Sequence, residues 1–404
     1  MIRFLTAGES HGKGLTAIVE GMPSNVEIPN EYINSHLARR QLGYGRGGRM
    51  KIETDKAEIT GGIRFKKTLG SPVSMYIQNR DWENWTDKMS PESDMPKDIE
   101  KITIPRPGHA DLVGATKYNL EDIRNSIERS SARETAARVA ACSVPRKMLE
   151  NLGIYVGSYV ESIGGIYPEN SFYHQLLDND IPEDLNAVEI AYKADKSKVR
   201  VLEQTQEEKI VEKIKVAKKN GDTLGGTMVA FATGVPAGLG SFVHYDTKMD
   251  TEIAASIMSI NAIKGVEIGS GFLSAEIFGS ESHDEIIKDG KMFSRKSNRA
   301  GGIEGGISTG LPIIVRAAMK PIATLMSPIG TVDLATMNEI EARRERSDFV
   351  AVPACAVIME SMLAWSIAGF VIQKFGGDSF EEIKERFENY KLDLETRLER
   401  NFKG

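Results

Sequence analysis

Cysteine is scarce in this sequence: 404 residues contain two, Cys142 and Cys355, each in a segment rich in alanine and valine. Small secreted scaffolds depend on many cysteines, so a disulfide-stapled protein is excluded and two buried, reduced thiols are expected. The opening residues, MIRFLTAGESHG, lack the charged region followed by an apolar run that marks a secretory signal peptide. We therefore expect a cytoplasmic protein.

Long uncharged apolar runs and an excess of positive charge are also missing. The most apolar stretch, residues 350–372, contains Pro353, Glu360 and several serines, which favours a buried core helix over a membrane span. The formal net charge is -6, so the overall field draws the protein neither to nucleic acid nor to anionic lipid. Any anion that it binds must be held by local positive charge.

Histidines are few and scattered, at positions 11, 36, 109, 174, 244 and 283, without HxH, HExxH or cysteine clusters. A dedicated metal site is therefore not expected. Two of the histidines lie in glycine-containing loops, His11 in GESHG and His109 in RPGHAD, where a side chain is displayed rather than packed. His36 lies on a predicted helix and is expected to be structural. His11 and His109 are the candidate functional histidines.

The composition that remains is that of a soluble globular protein, with 41% apolar and 27% charged residues. The order of predicted elements fits an α+β fold, and no linker divides the chain, so we predict a single domain over residues 1–404, with a core to about 370 and a C-terminal helical extension over about 371–404. Pro145 is predicted to end or kink its helix. Strands are predicted at 1–7, 14–20, 223–234 and 301–317, and helices at 31–42, 120–150, 203–219, about 334–345 and 353–400.

A segment rich in arginine and glycine follows the first predicted helix. Residues 39–49, RRQLGYGRGGR, hold four of each, and no acidic residue lies between Glu31 and Glu53. Each glycine would cost a helix roughly 0.5–1 kcal/mol relative to alanine. A loop whose backbone and guanidinium groups converge on a polyanion accounts for both residue types, because arginine pairs bidentately with phosphate and carboxylate. A solvated basic loop is the alternative.

Two other functions suggested by this segment are less well supported. The spacing G-x-G-x-x-G over residues 43–48 matches a dinucleotide-binding fingerprint, but it follows a helical pattern instead of a strand. The RGG triplet at 46–48 is typical of some RNA-binding proteins, yet it occurs once and has only Tyr44 nearby for stacking. We reject the first function, and the second is a distant alternative.

Two further arginine groups are candidates for anion binding. The first comprises Arg124, Arg129, Arg133 and Arg138 around Ser130 and Ser131. A helix that starts at Ser131, as the capping-box spacing of SARE predicts, could hold a phosphate or carboxylate on its free N–H groups. Alternatively these residues form a surface helix with pairs such as Glu134 with Arg138.

The second group is Arg343, Arg344 and Arg346, which precede Asp348. Asp348 is then followed by the apolar residues 350–353, so it is either a carboxylate in a basic, partly apolar site or a helix cap.

Taken together, the motifs resemble those of the chorismate synthase family, in the same order from residue 1 to about 370. They are GESHG (8–12), RRQLGYGRGGRM (39–50), RPGHAD (106–111), RSSARETAARVA (129–140), NAIKGVEIG (261–269), GGIEGGISTGLPI (301–313), MKPIAT (319–324) and RSDFVAVP (346–353).

The resemblance implies a β-α-β sandwich, with helices between antiparallel sheets, assembled as a homotetramer. It also implies an anti 1,4-elimination of phosphate from 5-enolpyruvylshikimate 3-phosphate, giving chorismate at the last common step toward the aromatic amino acids in the shikimate pathway. Reduced FMN is implied as the cofactor, without net redox change, and NADPH as a possible reductant.

Residue roles are implied by the same correspondence. His11 would protonate the leaving phosphate, His109 would protonate the reduced flavin near N1, and Asp348 would support proton removal through flavin N5. Positions matching substrate or NADPH contacts are Ser10, Arg40, Arg46, Arg49, Arg106 and Arg133. Positions matching flavin contacts are Arg129, Ser130, Ser131, Asn261, Ala262, Gly305, Lys320, Pro321, Ile322, Ala323, Thr324 and Arg346.

Two other classes of protein stay open on the residues alone. A flavin- or NADPH-dependent oxidoreductase could use the same anion pocket, and so could a protein that binds anions or RNA without catalysis. Release of chorismate and phosphate in equal amounts, without net flavin oxidation, separates the lyase from both.

Overall fold

The fold is described from a computed structural model that covers residues 2–47, 54–96, 98–290, 292–344 and 348–403. In chain order the strands are β1 (Arg3–Ala7), β2 (Gly14–Glu20), β3 (Ser24–Glu27), β4 (Ala57–Gly61), β5 (Ile63–Arg64), β6 (Lys67–Leu69), β7 (Val73–Gln78), β8 (Tyr155–Ile163), β9 (Gly226–Thr233), β10 (Ile263–Ile268), β11 (Ile286–Asp289), β12 (Met292–Arg295), β13 (Ile303–Glu304), β14 (Ile307–Ser308), β15 (Ile313–Met319), β16 (Gly330–Asp333) and β17 (Asn338–Glu341). The helices are α1 (Asn30–Gln41), α2 (Asp111–Tyr118), α3 (Arg124–Arg129), α4 (Thr135–Asn151), α5 (Phe172–Leu177), α6 (Ala187–Asp195), α7 (Gln204–Asn220), α8 (Met249–Met258), α9 (Gly279–Ser282), α10 (Val352–Phe375) and α11 (Phe380–Lys403).

Two antiparallel four-stranded sheets enclose a layer of helices. The first sheet has the order β1-β2-β7-β4 and the second β10-β15-β9-β8. Helix α4 packs on β2 and β7, helix α10 packs on β8 and β9, and the two helices pack on each other. The predicted α+β sandwich, with helices between antiparallel sheets, is confirmed.

The burial of the strands follows from this layering. In β7, Val73, Met75 and Ile77 are buried and alternate with half-buried Ser74 and Tyr76, because only one face of the first sheet meets the helices. Nearly every residue of β8 is buried, since α10 covers one face and α6 the other. The second sheet is therefore covered on both faces along this strand.

Helix α10 lies in the centre of the sandwich. Within the described residues it is the one helix that is long and apolar enough to cross a membrane, but 89% of its most apolar window is buried inside the protein. The predicted core helix in this stretch is confirmed. It ends before Gly376 and Gly377, and α11 then continues the chain to Lys403.

Two predictions about secondary structure are wrong in part or in full. Helix α4 does not end at Pro145 but runs through it to Asn151, because its burial between the first sheet and α10 outweighs the roughly 3 kcal/mol that an interior proline costs a helix. Within the stretch 334–345, the described residues 334–344 are not helical. Strands β16 and β17 form a hairpin there, whose turn is held by the Asp333 carboxylate accepting from Ala335 N–H and Thr336 Oγ1.

A buried carboxylate joins the layers of the sandwich. Glu360 on α10 has no solvent exposure and accepts hydrogen bonds from Arg39 (2.6 Å), Ser158 (2.7 Å) and Arg146. Burial alone would raise the pKa of Glu360, but the guanidinium groups of Arg39 and Arg146 hold it well below its usual range. Glu360 is therefore ionised and links α1, α4, α10 and β8.

Replacing Glu360 with glutamine is expected to destabilise the fold by about 3–5 kcal/mol, because buried guanidinium groups lose their counter-charge. Urea unfolding at neutral pH measures this change, and Glu212→Gln, on the exposed face of α7, is the control. The folded pKa of Glu360 lies below its unfolded value of about 4.3. Its contribution is therefore complete above that pH and is lost as the pH falls, so the two unfolding curves should converge in acid. Equal stability at pH 7 would contradict the account.

Candidate active site

A cavity of about 390 Å³ opens between segments that are distant in sequence. Its size lies within the range of small-molecule and cofactor pockets. The described residues that line it are Arg40, Arg46, Gly108, His109, Ala110, Ser130, Ala132, Thr135, Ile260, Asn261, Ala262, Ile263, Lys264, Met319, Lys320, Pro321, Ile322, Ala323, Asp348, Ala351, Ala354, Cys355 and Ile358. Eleven of the predicted site residues are among them, from Arg40 to Asp348.

The second sheet brings two of the predicted flavin-contacting segments together. Ile263 at the start of β10 pairs with Met319 at the end of β15, so residues 261–262 and 320–323 lie side by side. The N–H of Lys320 donates to the carbonyl of Ala262 at 3.0 Å. Ala262 has a φ of 67°, a left-handed conformation that costs a residue with a Cβ roughly 1–2 kcal/mol. Such strain clusters at functional sites, and this residue lines the cavity.

Helix α10 supplies an apolar wall. Ala351, Ala354, Cys355 and Ile358 line the cavity at a spacing that places them on one face of the helix and the residue before it. Burial raises the pKa of the Cys355 thiol to about 12, so the thiol is neutral at physiological pH. A flat ring system can therefore pack against this wall without contacting a charged side chain.

Asp348 lies in a basic environment at the edge of the same wall. Its carboxylate is 3.1 Å from Nε of Arg46 and accepts a hydrogen bond from the N–H of Gly47. The N-cap of α10 is Ala351, so the alternative that Asp348 caps this helix is wrong. The interpretation of Asp348 as a carboxylate in a basic, partly apolar site agrees with these contacts.

Arg40 and Arg133 share a buried carboxylate that was not predicted. Asp55 is 3.2 Å from Nη1 of Arg40, which lines the cavity, and also pairs with Arg133, which lies outside the cavity lining. Arg40 further donates to Thr135 Oγ1 and to the carbonyl of Ala132. Burial lowers the pKa of Arg40 to about 10. The Asp55 carboxylate opposes this shift, and the positive charges of Arg46 and Arg133 add to it. Much of the donor capacity of Arg40 is thus used inside the protein.

His109 is held by a second buried carboxylate. Its Nδ1 is 2.6 Å from Asp111, which is also 2.8 Å from Nε of Arg106. Arg106 reaches on to Thr324 at 3.1 Å. Burial alone would raise the pKa of Asp111, but the hydrogen bonds from His109 and Arg106 hold it well below its usual range. An ionised Asp111 therefore orients the imidazole at the cavity.

His11 and Ser10 lie beside the cavity, outside its wall. Ser131 Oγ donates to Ser10 Oγ at 3.1 Å, and Nδ1 of His11 is 2.9 Å from Glu128. Ser131 caps the short 3-10 turn Ala132–Glu134, but α4 itself begins at Thr135, so the helix start predicted at Ser131 is confirmed for the 3-10 turn alone. Glu134 does not complete a capping box: its carboxylate binds Thr6 (2.6 Å) and Arg138 (2.8 Å).

The remaining predicted residues are placed differently. Arg129 donates to the carbonyl of Thr6 at 2.8 Å, beside the cavity. Gly305 lies in the turn between β13 and β14, at the other end of the second sheet from Lys320, and its flavin contact stays a prediction. Arg49 and Arg346 lie outside the described residues.

In the portion of the chain that the structure describes, no group of three or more histidine, cysteine or acidic residues is arranged to hold a metal ion.

Comparison with known proteins gives one consistent result. The family model described as chorismate synthase matches residues 2–372. The chain is 54% identical over 403 residues to the chorismate synthase of Chlorobaculum tepidum (99% of this chain, 100% of that protein). It is 52% identical over 392 residues to that of Aquifex aeolicus (96% and 97%). A crystal structure of chorismate synthase matches with a TM-score of 0.78 at 43% identity, covering 98% of each chain.

These matches extend over nearly the whole chain, and the motifs that surround the cavity all lie within the matched region. A sequence this similar to several relatives over its full length shares their fold and descent. The chain belongs to the chorismate synthase family.

Proposed function

We propose that this protein catalyses the anti 1,4-elimination of phosphate from 5-enolpyruvylshikimate 3-phosphate, giving chorismate, with reduced FMN and no net redox change. The observation that carries the proposal is the cavity in which Arg46, His109 and Asp348 meet the backbone of residues 320–323. Its cationic rim suits a substrate with two carboxylates and a phosphate, since each charge-assisted hydrogen bond contributes roughly 1.5–3 kcal/mol.

The residues present fit a flavin. The apolar wall at Ala351, Ala354, Cys355 and Ile358 suits the face of an isoalloxazine ring, and the exposed backbone of residues 261–262 and 320–323 supplies polar partners for its edge. Lys264 and Lys320 add positive charge for a phosphate-bearing cofactor. Reduced FMN, when bound, supplies the electron density that the cleavage of the carbon–oxygen bond demands.

The side chains divide the remaining tasks. Arg46 binds an anionic group of the substrate, while its contact with Asp348 fixes that carboxylate beside the apolar wall. Asp348 supports the removal of the proton that the substrate gives up, as the family correspondence implies. His109, oriented by Asp111, holds a proton at the rim of the cavity. His11 donates a proton to the departing phosphate. General acid–base steps of this kind are typically worth about 10²–10⁴-fold in rate.

The competing oxidoreductase function has one supporting feature, the match of Arg40 and Arg46 to NADPH-binding positions. Arg40 makes three hydrogen bonds inside the protein, to Thr135, Asp55 and Ala132, which reduces its capacity to hold a second large cofactor. We therefore favour the lyase. NADPH remains a possible reductant of FMN rather than a substrate of the main reaction.

An anaerobic assay tests the proposal. Protein, substrate and chemically reduced FMN are expected to release chorismate and inorganic phosphate in equal amounts over many turnovers, with the flavin still reduced at the end. A second arm with oxidised FMN and NADPH alone tells whether the protein reduces its own cofactor. Stoichiometric consumption of reduced flavin would favour the oxidoreductase. No turnover in either arm would favour a protein that binds anions without catalysis.

We further propose that the protein acts as a single domain in the cytoplasm, as a homotetramer, on this small-molecule substrate and without nucleic-acid or membrane partners. The exposed apolar side chains of Phe242, Val243 and Tyr245, each more than 70% accessible, support an assembly through the loop that carries them. Sedimentation equilibrium measures the number of subunits, and a monomer at micromolar concentration would contradict the tetramer.

A further inference from the structure

The loop that carries His11 is held by Glu128, a residue that lies outside the sequence motifs and has no role assigned above. The carboxylate of Glu128, the penultimate residue of α3, accepts from the backbone N–H of His11 at 2.7 Å. The same carboxylate lies 2.9 and 3.0 Å from Nδ1 of the His11 ring. The carbonyl of Glu128 also accepts from the N–H of Ser10 at 3.1 Å. One residue thus fixes both the backbone and the ring of this histidine.

The surroundings of Glu128 make this contact strong. Its side chain is 1% exposed, whereas that of His11 is 22% exposed, so the carboxylate is buried behind a ring that reaches solvent. Nη1 of Arg124 lies 4.0 Å from the carboxylate, farther away than the backbone N–H and Nδ1 of His11. A buried carboxylate needs such hydrogen bonds to offset its desolvation.

An aromatic ring holds the histidine from its face. Trp85 stacks on His11 with centroids 4.0 Å apart and an angle of 25° between the planes. Trp85 is itself fixed by a hydrogen bond from Nε1 to Asp81 at 3.0 Å and contacts the guanidinium of Arg124. With Glu128 bound at the ring edge and Trp85 on the ring face, little rotation of the imidazole remains.

We propose that Glu128 is the positioning residue of His11: it keeps a proton on Nδ1, so that Nε2 is the nitrogen that delivers the proton to the leaving group. The inference rests on the proposed function for its catalytic part. Its chemistry parallels that of His109, whose Nδ1 is bound by the buried carboxylate of Asp111. A hydrogen bond on one ring nitrogen sets the role of the other, as it does in carboxylate–histidine pairs of hydrolases.

Two variants separate orientation from charge. Glu128→Gln keeps an oxygen that can accept from Nδ1 but removes the negative charge, and Glu128→Ala removes both. We expect kcat to fall about 10-fold in the first and about 100-fold in the second, with KM for the substrate changed less than about threefold. Glu161→Gln is the matched control, because Glu161 is also buried but binds Arg316 and Thr227 on the second sheet, outside the cavity lining.

A spectroscopic measurement makes the test independent of turnover. Nitrogen NMR of protein labelled at its six histidines, with His11 assigned by its loss in His11→Gln, reports which ring nitrogen carries the proton in the neutral form. We expect Nδ1–H in the wild type and in Glu128→Gln, and Nε2–H in Glu128→Ala. Retention of Nδ1–H in Glu128→Ala would overturn the proposal, and so would unchanged kcat in both variants or a loss no larger than that of Glu161→Gln.

The elimination reaction and the role of Glu128 are tested by separate measurements. If the wild type catalyses no elimination, the proposed function is wrong, while the tautomer of His11 still reports whether Glu128 positions the ring. If Glu128→Ala does not fold, the kcat of the conservative Glu128→Gln variant tests the proposal. Its KM and its thermal midpoint of unfolding then show whether the change is confined to the chemical step. A fall in stability that accompanies a rise in KM, with kcat intact, would make Glu128 structural and overturn the proposal.

Discussion

Replacing either candidate acid, His11→Ala or His109→Ala, is expected to lower kcat by about 10²–10⁴-fold while the protein still folds and binds flavin. Both side chains lie on loops, and each contacts a carboxylate, Glu128 or Asp111, that remains in place after truncation. The loss therefore falls on proton transfer rather than on packing. Steady-state kinetics under anaerobic conditions measures kcat, and quenching of flavin fluorescence measures binding.

The control for these variants is His174→Ala. His174 is an exposed histidine on α5, and it lies outside the cavity. It should retain wild-type kinetics. Near-normal turnover in His11→Ala would remove the proton donor assigned to the leaving phosphate, and near-normal turnover in His109→Ala would remove the one assigned to the rim of the cavity.

Asp348→Asn is expected to reduce kcat by roughly 10²–10³-fold with little change in the affinity for substrate. Asparagine keeps the size of the side chain and an oxygen that can accept from the N–H of Gly47, but it cannot take up a proton and loses the ionic contact with Arg46. Comparison of kcat with a direct binding titration separates the two effects.

A structural Asp348 would behave differently. If affinity and kcat fell together, the carboxylate would serve to hold Arg46 and the loop around Gly47 instead of moving a proton. Asp184→Asn, in the exposed segment before α6, is the control for a general effect of removing a carboxylate and should match the wild type.

Much of the fold could be predicted because local patterns carry it. The strands at residues 1–7 and 14–20, the helix at 31–42 and the core helix after residue 350 were each indicated by periodicity and breakers within one segment. The helix predicted at 334–345 failed because its charged and apolar residues suit either structure, and the turn at Asp333 decided for a hairpin.

The sequence predicts the residues of the site that lie in motifs, but it does not predict the carboxylates that contact them. His11, His109, Arg46 and Asp348 stand in glycine-rich or basic segments, which marks them. Their supporting carboxylates do not stand out. Glu128 and Asp55 occur in ordinary charged sequence, and Glu128 meets His11 only because α3 folds back onto the loop between β1 and β2. The contact of Glu128 with His11 spans 117 residues of sequence and that of Asp55 with Arg133 spans 78, so neither leaves a local signal in a single sequence.

A crystal structure of the protein with FMN and substrate bound is the decisive test of the proposed function. We predict that the isoalloxazine ring packs against Ala351, Ala354 and Ile358 with its edge toward the backbone of residues 320–323, and that the substrate lies between the ring and Arg46. A flavin bound elsewhere, for example in the surface depression beside Gly238 and Lys374, with the cavity unchanged, would contradict it.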